Sequence, residues 1–216
     1  MTIAIDGPAA SGKSVVGAHV AERLEYVFFD TGAMYRAVTW AALRRGINPA
    51  DADAVAAFTA DVAIEVHASD NTTRVLIDGA DATPYLRTAD VEANVSLVSR
   101  VPGVRAALVR IQRDLAGAGR VVMAGRDIGS VVLPDADLKV YLDASRDVRA
   151  RRRADQLRAG GEVVDIDAIR ADLERRDGID SSREVSPLTA APGAVIINTD
   201  HLTIEQAVDR IVELAG

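Results

Sequence analysis

The sequence predicts an α/β fold, in which a five-stranded parallel sheet carries helices on both faces, with a small antiparallel β insertion and a helical segment late in the chain. Five short apolar runs alternate with longer helical patterns along the 216 residues. This alternation is typical of parallel sheets that are covered by helices on both sides. A segment with period-two hydrophobicity interrupts the alternation and indicates the antiparallel insertion.

The five apolar runs are short and end at polar residues, as buried parallel strands do. We expect strands at 2–6, 26–29, 121–124, 138–142 and 194–197. Because ligands of such sheets bind at the carboxyl ends of the strands, the residues that follow each strand are the candidates for chemistry. These residues lie at 7–14, 30–31, 126–127, 143 and 198–200.

Helices are expected between the strands and at the end of the chain. The expected helices run over 13–24, 31–45, 51–60, 88–99, 104–116, 146–158, 167–176 and 204–214. Asp51 and Thr203 are suited to cap two of them, since their side chains accept hydrogen bonds from the free backbone N–H groups of a first turn. Pro102 and Gly103 separate the fourth helix from the fifth.

Residues 61–87 differ in character from the rest of the chain. Apolar residues alternate at 62, 64 and 66, the run Arg74-Val75-Leu76-Ile77 follows, and residues 69–71 are turn formers. This pattern predicts an antiparallel hairpin. We therefore expect a single unit with a core (1–30, 104–145 and 190–216), an inserted module (31–103) and a largely helical segment (146–189).

Composition restricts the classes of function. The chain is 49% hydrophobic and 26% charged, which is enough for one sizeable core. It has no cysteine, so disulfides and cysteine-based zinc sites are excluded. A net charge of −7 argues against a broad nucleic-acid-binding surface. Because no leader pattern or long apolar run is visible, we expect a soluble, cytoplasmic monomer with no nucleic-acid or membrane partner.

Residues 7–14 read GPAASGKS and fit G-x-x-x-x-G-K-[ST] at every fixed position, between an expected strand and an expected helix. In that context successive backbone N–H groups form an anion-binding nest at a helix N-terminus. Lys13 can reach the β- and γ-phosphates, and the Ser14 hydroxyl can ligate Mg²⁺. The segment therefore predicts a nucleoside triphosphate site with Mg²⁺, and an ordinary glycine-rich turn is the alternative.

Arginines cluster beyond the other strand ends. Arg36 follows the second strand, and Arg126 and Asp127 lie between two glycines after the third. Guanidinium groups fork onto phosphate, and a carboxylate accepts hydrogen bonds from an exocyclic amine. Residues 146–153 carry five arginines, and residues 175–183 mix both charges in an expected loop that could clamp a ribose. Phosphoryl transfer to an anionic acceptor accounts for these groups, and solvated helix faces, a loop ion pair or a nucleic-acid patch are the alternatives.

Longer segments of the sequence resemble the bacterial cytidylate kinases, within the nucleoside monophosphate kinase group. The resemblance runs nearly from end to end and includes the inserted hairpin. It rests on the segments IDGPAASGKS, DTGAMYRA, NVSLVSRVPGVRAAL, GRDIGSVVLPDADLKVYLDAS and RRDGIDSSREVSPL. It implies a P-loop NTPase-type kinase that transfers the γ-phosphoryl of ATP to CMP or dCMP with Mg²⁺, giving CDP or dCDP and ADP. Residues 31–103 would then bind the nucleoside monophosphate, and residues 146–189 would form a lid.

The resemblance also implies roles for individual residues. ATP would be bound by Gly7, Pro8, Ala9, Ala10, Ser11, Gly12, Lys13, Ser14 and Val15. CMP would be bound through its phosphate (Tyr35, Arg36, Arg126), its base (Ser96, Arg105, Asp127) and its ribose (Arg176, Asp180, Arg183), with Thr31 close by. The expected catalytic residues are Lys13, Arg126, Arg152 and Arg153, and the expected metal ligand is Ser14.

At two of these positions the residue differs from the one found in some or most members of the family that the sequence resembles. Thr31 stands where a serine is common, and it keeps the hydroxyl. Ser14 stands where some relatives carry glycine. Asp127 would favour cytosine over uracil, because uracil presents an oxygen where cytosine presents an amine.

Other functions stay open on the sequence. One rival is a P-loop kinase for UMP or shikimate, although shikimate would leave the base readers without a role. Another is a P-loop GTPase or regulatory switch, for which the N-K-x-D guanine reader is not found; residues 198–200 lack the lysine. A nucleic-acid-binding module built on residues 146–153 conflicts with the net charge of −7 and the aromatic content of 4%.

Overall fold

The computed structural model describes residues 1–69, 72–183 and 188–216. Over these residues a five-stranded sheet and a three-stranded sheet are present. The strands are β1 (Thr2–Asp6), β2 (Val27–Asp30), β3 (Ile64–Ser69), β4 (Thr72–Ile77), β5 (Ala80–Asp81), β6 (Val121–Gly125), β7 (Leu138–Asp143) and β8 (Val195–Asn198). The larger sheet is parallel throughout and has the order β2-β6-β1-β7-β8.

Helices connect the strands and close the described chain. They are α1 (Lys13–Leu24), α2 (Thr31–Arg44), α3 (Ala52–Asp61), α4 (Ala89–Ser99), α5 (Pro102–Ala116), α6 (Arg146–Ala159), α7 (Ile166–Ser181) and α8 (Ile204–Ala215). A short 3₁₀ turn spans Thr83–Tyr85, and one turn of π-helix spans Ile128–Val132. The predicted α/β architecture is confirmed, and the expected caps Asp51 and Thr203 accept backbone hydrogen bonds at the starts of α3 and α8.

The central strands β1 and β6 are buried on both faces, as their apolar sequences predict, whereas the edge strands β2 and β8 leave Val27 and Ile196 exposed. On one face Ile3 and Ile5 of β1 belong to a cluster that α1 and α8 cover. On the other face Ala4 and Met123 lie in a cluster that includes Ala116 of α5. Because the strand period is two, alternate residues of each strand serve the two layers.

The inserted segment shares an apolar cluster with α5, which belongs mostly to the expected core. Side chains of α2, α3, α4 and α5 meet there with Val75 and Ile77 of β4. β3, β4 and β5 form the antiparallel three-stranded sheet, so the predicted hairpin is confirmed and gains a two-residue third strand. Of the expected turn at 69–71, residues 70 and 71 lie outside the described residues.

Two boundaries differ from the sequence prediction. α7 extends to Ser181, so the loop expected at 175–183 is wrong for most of its length. The helix continues because Arg176 and Asp180 are buried in ion pairs and Leu173 packs between α6 and the loop at 7–14, called the phosphate loop below. These contacts outweigh the low helix propensity of Gly178. Pro102 begins α5 rather than preceding it, since proline fits the first helical position. Residues 184–187, which belong to the segment RRDGIDSSREVSPL, lie outside the described residues.

A close approach between α1 and β2 gives a test of this packing. A Cβ at Gly17 would lie 2.7 Å from Cε2 of Phe28, a buried ring. Gly17→Ala should therefore lower the free energy of unfolding by about 1–3 kcal/mol, measured by urea denaturation.

The matched control is Gly178→Ala in α7, where a Cβ would meet no atom of the described residues outside its own helix backbone within 4 Å. That change should raise the free energy of unfolding by about 0.4–1 kcal/mol, because it restricts the unfolded chain. Equal effects of the two substitutions would contradict the packing argument.

Candidate active site

A cavity of about 580 Å³ lies at the carboxyl edge of the larger sheet. Residues that follow β1, β2 and β6 line it, as expected for ligand sites in parallel sheets. Helices α4, α6 and α7 supply much of the remaining wall. The cavity therefore brings together residues from widely separated parts of the chain.

The phosphate loop leaves β1 in a conformation that depends on glycine. Gly7 has φ 152°, and a Cβ there would overlap the carbonyl oxygen of Leu142. Gly12 is left-handed with φ 96° and caps α1 directly before Lys13. The hydroxyl oxygen of Ser11 is buried and has no hydrogen-bond partner among the described residues. An anion held by the backbone N–H groups of this loop would suit both the loop geometry and that hydroxyl.

Lys13 is buried at the start of α1. Its ammonium donates a hydrogen bond to the carbonyl oxygen of Pro8 over 2.8 Å. Burial lowers the pKa of Lys13 well below its usual value, and the charges of Arg126 and Arg36 lower it further. A bound polyphosphate would stabilise the charged form by supplying the missing negative charge.

Ser14 and Asp30 place two side-chain oxygens, both suited to bind a metal ion, next to each other at the cavity wall. The Ser14 hydroxyl donates to a carboxylate oxygen of Asp30 over 2.9 Å, and Asp30 also caps α2 through the N–H of Gly32. No cluster of three or more metal-ligating residues occurs in the part of the chain that the structure describes. Mg²⁺ usually takes one or two protein oxygens and completes its octahedron with phosphate and water, so this donor pair fits the ion.

Asp6 holds the turn that follows β6. Its two carboxylate oxygens accept hydrogen bonds from the N–H groups of Ile128 and Gly129, over 2.7 and 2.8 Å. These bonds cross from the end of β1 to the π-helical turn that follows Arg126 and Asp127. Sequence reasoning treated Asp6 only as the end of a strand, but the structure makes it the support for both neighbouring site residues.

Arg105 and Asp127 form a buried ion pair at the wall of the cavity. The guanidinium also lies 5.6 Å from the ring centroid of Tyr35 and donates to the carbonyl oxygen of Ser99 over 3.3 Å. Burial raises the pKa of Tyr35 to about 12. Arg105 takes one oxygen of Asp127, Oδ2, and the other oxygen is the candidate acceptor for a base amine.

Arg126 and Arg183 both contact Asp180, which is almost fully buried on α7. Arg126 donates through Nε over 2.8 Å and reaches the carbonyl oxygen of Gly7 over 3.2 Å. Arg183 also donates to the hydroxyl of Ser99 over 2.7 Å. Both carboxylate oxygens of Asp180 are thus engaged by arginines in this conformation.

Glu92 of α4 contacts Arg36 and Arg176, each over 2.8 Å. It was not among the expected site residues. One signal could have found it, because Glu92 precedes Ser96 by one helical turn and so shares its face. The structure therefore adds a buried carboxylate beside two residues that were expected at the site.

The arginines of α6 divide between the two sides of the phosphate loop. Arg153 lines the cavity, whereas Arg152 donates to the carbonyl oxygens of Ser11 and Thr199, over 3.3 and 2.7 Å. Arg149, one of the five arginines at 146–153, donates to the carbonyl oxygen of Ala9 over 3.2 Å and pairs with Asp177 over 2.7 Å. Arg149 thus ties α6 and α7 to the loop.

Most of the expected site residues meet at the cavity. Those that line it are Ala9, Ala10, Gly12, Lys13, Ser14, Val15, Thr31, Tyr35, Arg36, Ser96, Arg105, Arg126, Asp127, Arg153, Arg176, Asp180 and Arg183. Gly7, Pro8 and Ser11 shape the loop behind them, and the Thr31 hydroxyl donates to the carbonyl oxygen of Ala124 over 2.9 Å. Arg152 is held by the loop after β8 instead.

Comparison with protein families gives one match that spans nearly the whole chain. The family described as cytidylate kinase matches residues 3–216. The chain belongs to the cytidylate kinase family. The family resemblance inferred from the phosphate loop and the arginine motifs is therefore confirmed.

Individual relatives agree with this assignment. The chain is 47% identical over its full length to the cytidylate kinase of Geobacillus kaustophilus (strain HTA426), of which it covers 96%. It is also 47% identical over 98% of its length to the bifunctional pantoate ligase/cytidylate kinase of Synechococcus sp. (strain JA-3-3Ab), and it spans 40% of that longer protein.

Solved structures share the fold at low sequence identity. A shikimate kinase from Bacteroides thetaiotaomicron has a TM-score of 0.50 and 15% identity, with coverage of 100% of this chain and 98% of that one. At this identity the match shows the fold alone. Among the described residues, no helix combines the length and apolar character that crossing a membrane requires.

The pKa of Asp6 generates a pH prediction. Burial raises this pKa from 3.8 to about 6, and the charge of Asp127 also raises it, while the N–H groups of Gly129 and Ile128 and the charge of Lys13 lower it. Because the folded state holds the proton more tightly than the unfolded state, this contribution to stability is complete below pH 3.8 and is lost as the pH rises through about 6.

The stability that Asp6 contributes should fall by about 3 kcal/mol as the pH rises from about 4 to 7, measured as the free energy of urea unfolding. Asp6→Asn removes the titrating group, although its amide cannot accept both N–H bonds and so gives a constant penalty. The difference between wild type and variant should therefore change across this range. Parallel curves would show that Asp6 titrates normally.

Proposed function

We propose that the protein is a cytidylate kinase that transfers the γ-phosphoryl of ATP to CMP or dCMP, giving CDP or dCDP and ADP. Membership of the cytidylate kinase family supports the reaction. The observation that carries the proposal is the shared cavity, whose wall combines the phosphate loop with the Arg105–Asp127 pair and the arginines of α2, β6 and α7.

The phosphate-loop side of the cavity would present the triphosphate of ATP. Backbone N–H groups from residues 7–14 would hold the phosphates, and Lys13 would exchange its bond to Pro8 for the β- and γ-phosphates. Ser14, with Asp30 beside it, would hold Mg²⁺, which supplies charge neutralisation of the phosphate oxygens. Arg152 and Arg153 are expected as catalytic residues of the lid. In this structure Arg152 contacts Thr199 and Arg153 contacts Glu92.

The opposite side would take the acceptor. Arg36 and Arg126 would bind the phosphate of CMP, which needs no strong general base because its attacking oxygen is already ionised. Asp127 would accept the cytosine amine while Arg105 holds its other oxygen. For the expected ribose contacts, a substrate hydroxyl would have to share Asp180 with Arg126 and Arg183.

The expected organisation into a core, a monophosphate-binding module (31–103) and a lid (146–189) is part of this proposal. It is supported by the apolar cluster that α2, α3, α4 and β4 form with α5 of the expected core, and by a small cluster in which Leu173 of α7 packs with Ala9 and Ala150. The monomeric state, the absence of nucleic-acid partners and a cytoplasmic location remain predictions from the sequence.

The proposal as a whole is tested by a coupled assay of ADP formation. ATP and Mg²⁺ are supplied with CMP, dCMP, UMP, AMP or shikimate in parallel. We expect turnover with CMP and dCMP to exceed that with every other acceptor. Comparable rates with UMP, or turnover with shikimate alone, would contradict the cytidylate assignment.

Lys13→Ala should abolish most of the transfer. Removing one charge that stabilises the transferred phosphoryl typically lowers kcat by about 10²–10³-fold. The matched control is Lys139→Ala, since Lys139 is the other lysine of the chain and lies on β7. Circular dichroism should be unchanged in both variants. Retained turnover in folded Lys13→Ala would contradict the role of this side chain.

Asp127→Asn should shift the base preference towards uracil. The asparagine side chain keeps an oxygen for Arg105, but it presents an amide N–H donor at the position where the carboxylate oxygen would accept the cytosine amine. The ratio of kcat/KM for CMP to that for UMP should fall about 10–100-fold, equivalent to ~1–3 kcal/mol.

Asp127→Ala serves as the structural counterpart. It leaves Arg105 buried without its carboxylate, so it should lower the free energy of unfolding by about 3–5 kcal/mol as well as the CMP preference. An unchanged CMP/UMP ratio in folded Asp127→Asn would mean that the pair only supports the cavity wall.

A further inference from the structure

In the described part of the chain, Glu92 lies among four arginine side chains that come from different elements. One carboxylate oxygen, Oε1, is 2.8 Å from Nε of Arg36 and 3.4 Å from Nη1 of Arg87. The other, Oε2, is 2.8 Å from Nη1 of Arg176 and 3.7 Å from Nη2 of Arg153. Glu92 therefore links α4 to α2 on one side and to α6 and α7 on the other.

This carboxylate is largely withdrawn from water. Its side chain is 11% exposed, and those of Arg36 and Arg176 are 12% and 7% exposed. Burial alone would raise the pKa of Glu92, but Arg36 and Arg176 outweigh it and lower that pKa well below its usual value. Glu92 is thus ionised throughout the physiological range and acts as a permanent negative charge at the cavity.

The arginines around Glu92 repel one another. The charge of Arg36 is the largest cause that lowers the pKa of Arg87. Burial lowers the pKa of Arg176, and the charges of Arg36 and Arg126 add to that effect. Nε of Arg176 is also buried and has no hydrogen-bond partner among the described residues. These cations can therefore gain from an anion beyond the single charge of Glu92.

We propose that Glu92 is a resident counter-ion of the site that takes the acceptor's phosphate, and that this phosphate competes with it for Arg36. The inference rests on the proposed function, which brings a phosphate monoester to Arg36. A phosphate uses the same charge-assisted, two-pronged geometry on guanidinium as a carboxylate does. Its negative charges are repelled by Glu92 whenever both lie against the same arginines.

The consequence is a balance between stability and affinity. Glu92 keeps the arginines together before the acceptor arrives, and it weakens the binding of the acceptor by repulsion and by sharing donors. Glu92→Gln keeps the shape of the side chain but removes its charge. The variant should be less stable on its own and should respond more strongly to an added phosphate.

The experiment measures thermal unfolding against the concentration of inorganic phosphate, at ionic strength matched with chloride. Wild type, Glu92→Gln and Glu174→Gln are compared. Glu174→Gln is the matched control, because Glu174 pairs with Arg146 over 2.8 Å at an exposed position. We expect Glu92→Gln to have a lower Tm without phosphate and to need about tenfold less phosphate for half of its Tm increase. Glu174→Gln should respond as wild type does.

Phosphate that binds at the phosphate loop contributes equally to all three proteins, so it cancels from the comparison. In the double variant Glu92→Gln/Arg36→Gln the additional response should disappear. Glu92→Asp keeps the negative charge, so its Tm should respond to phosphate as weakly as that of the wild type. If Glu92→Gln is unfolded without phosphate, phosphate should restore its folding.

Kinetics provide a second readout. The KM for CMP should fall in Glu92→Gln while the KM for ATP stays the same, a separation that general destabilisation would not produce. A phosphate response in Glu92→Gln equal to or weaker than that of wild type, or no restoration of folding, would overturn the inference. Absence of CMP turnover in the wild type would instead refute the proposed function, and the phosphate response would still be measurable.

Discussion

Neutralisation of buried positive charge at the carboxyl edge of the parallel sheet is the constraint on which the rest of the site depends. The fold gathers cations there from the phosphate loop and from α2, α5, α6 and α7. In a partly desolvated cavity such charges are tolerated only when carboxylates or ligand phosphates lie beside them. Asp127 balances Arg105, Asp180 balances Arg126, and Glu92 balances Arg36.

These pairs also connect the parts of the chain. Asp180 on α7 reaches Arg126 after β6, and Glu92 on α4 reaches α2 and α7. Arg149 fastens α6 to the phosphate loop through Ala9. The Asp180–Arg126 pair and the Glu92 pairs are therefore both charge partners within the site and contacts between segments.

The local pattern was sufficient for most of the fold. Apolar runs flanked by glycine and acidic residues located all five parallel strands, and helix caps such as Asp51 and Thr203 located helix starts. The length of α7 was not predictable, because its last turns are stabilised by burial of Arg176 and Asp180 rather than by local propensity. The π-helical turn after β6 depends in the same way on Asp6, which is more than a hundred residues away.

By itself, the sequence determined the glycine-rich loop at 7–14, the arginine motifs that follow the strands and the family to which the chain belongs, because these features are contiguous motifs. Only the tertiary structure decided which carboxylate faces which arginine. Glu92 lies in no motif, and the arginine run at 146–153 does not single out Arg149; the contacts of both residues are with neighbours that are distant in sequence. Electrostatic energy depends on distance and burial, and both are properties of the folded chain.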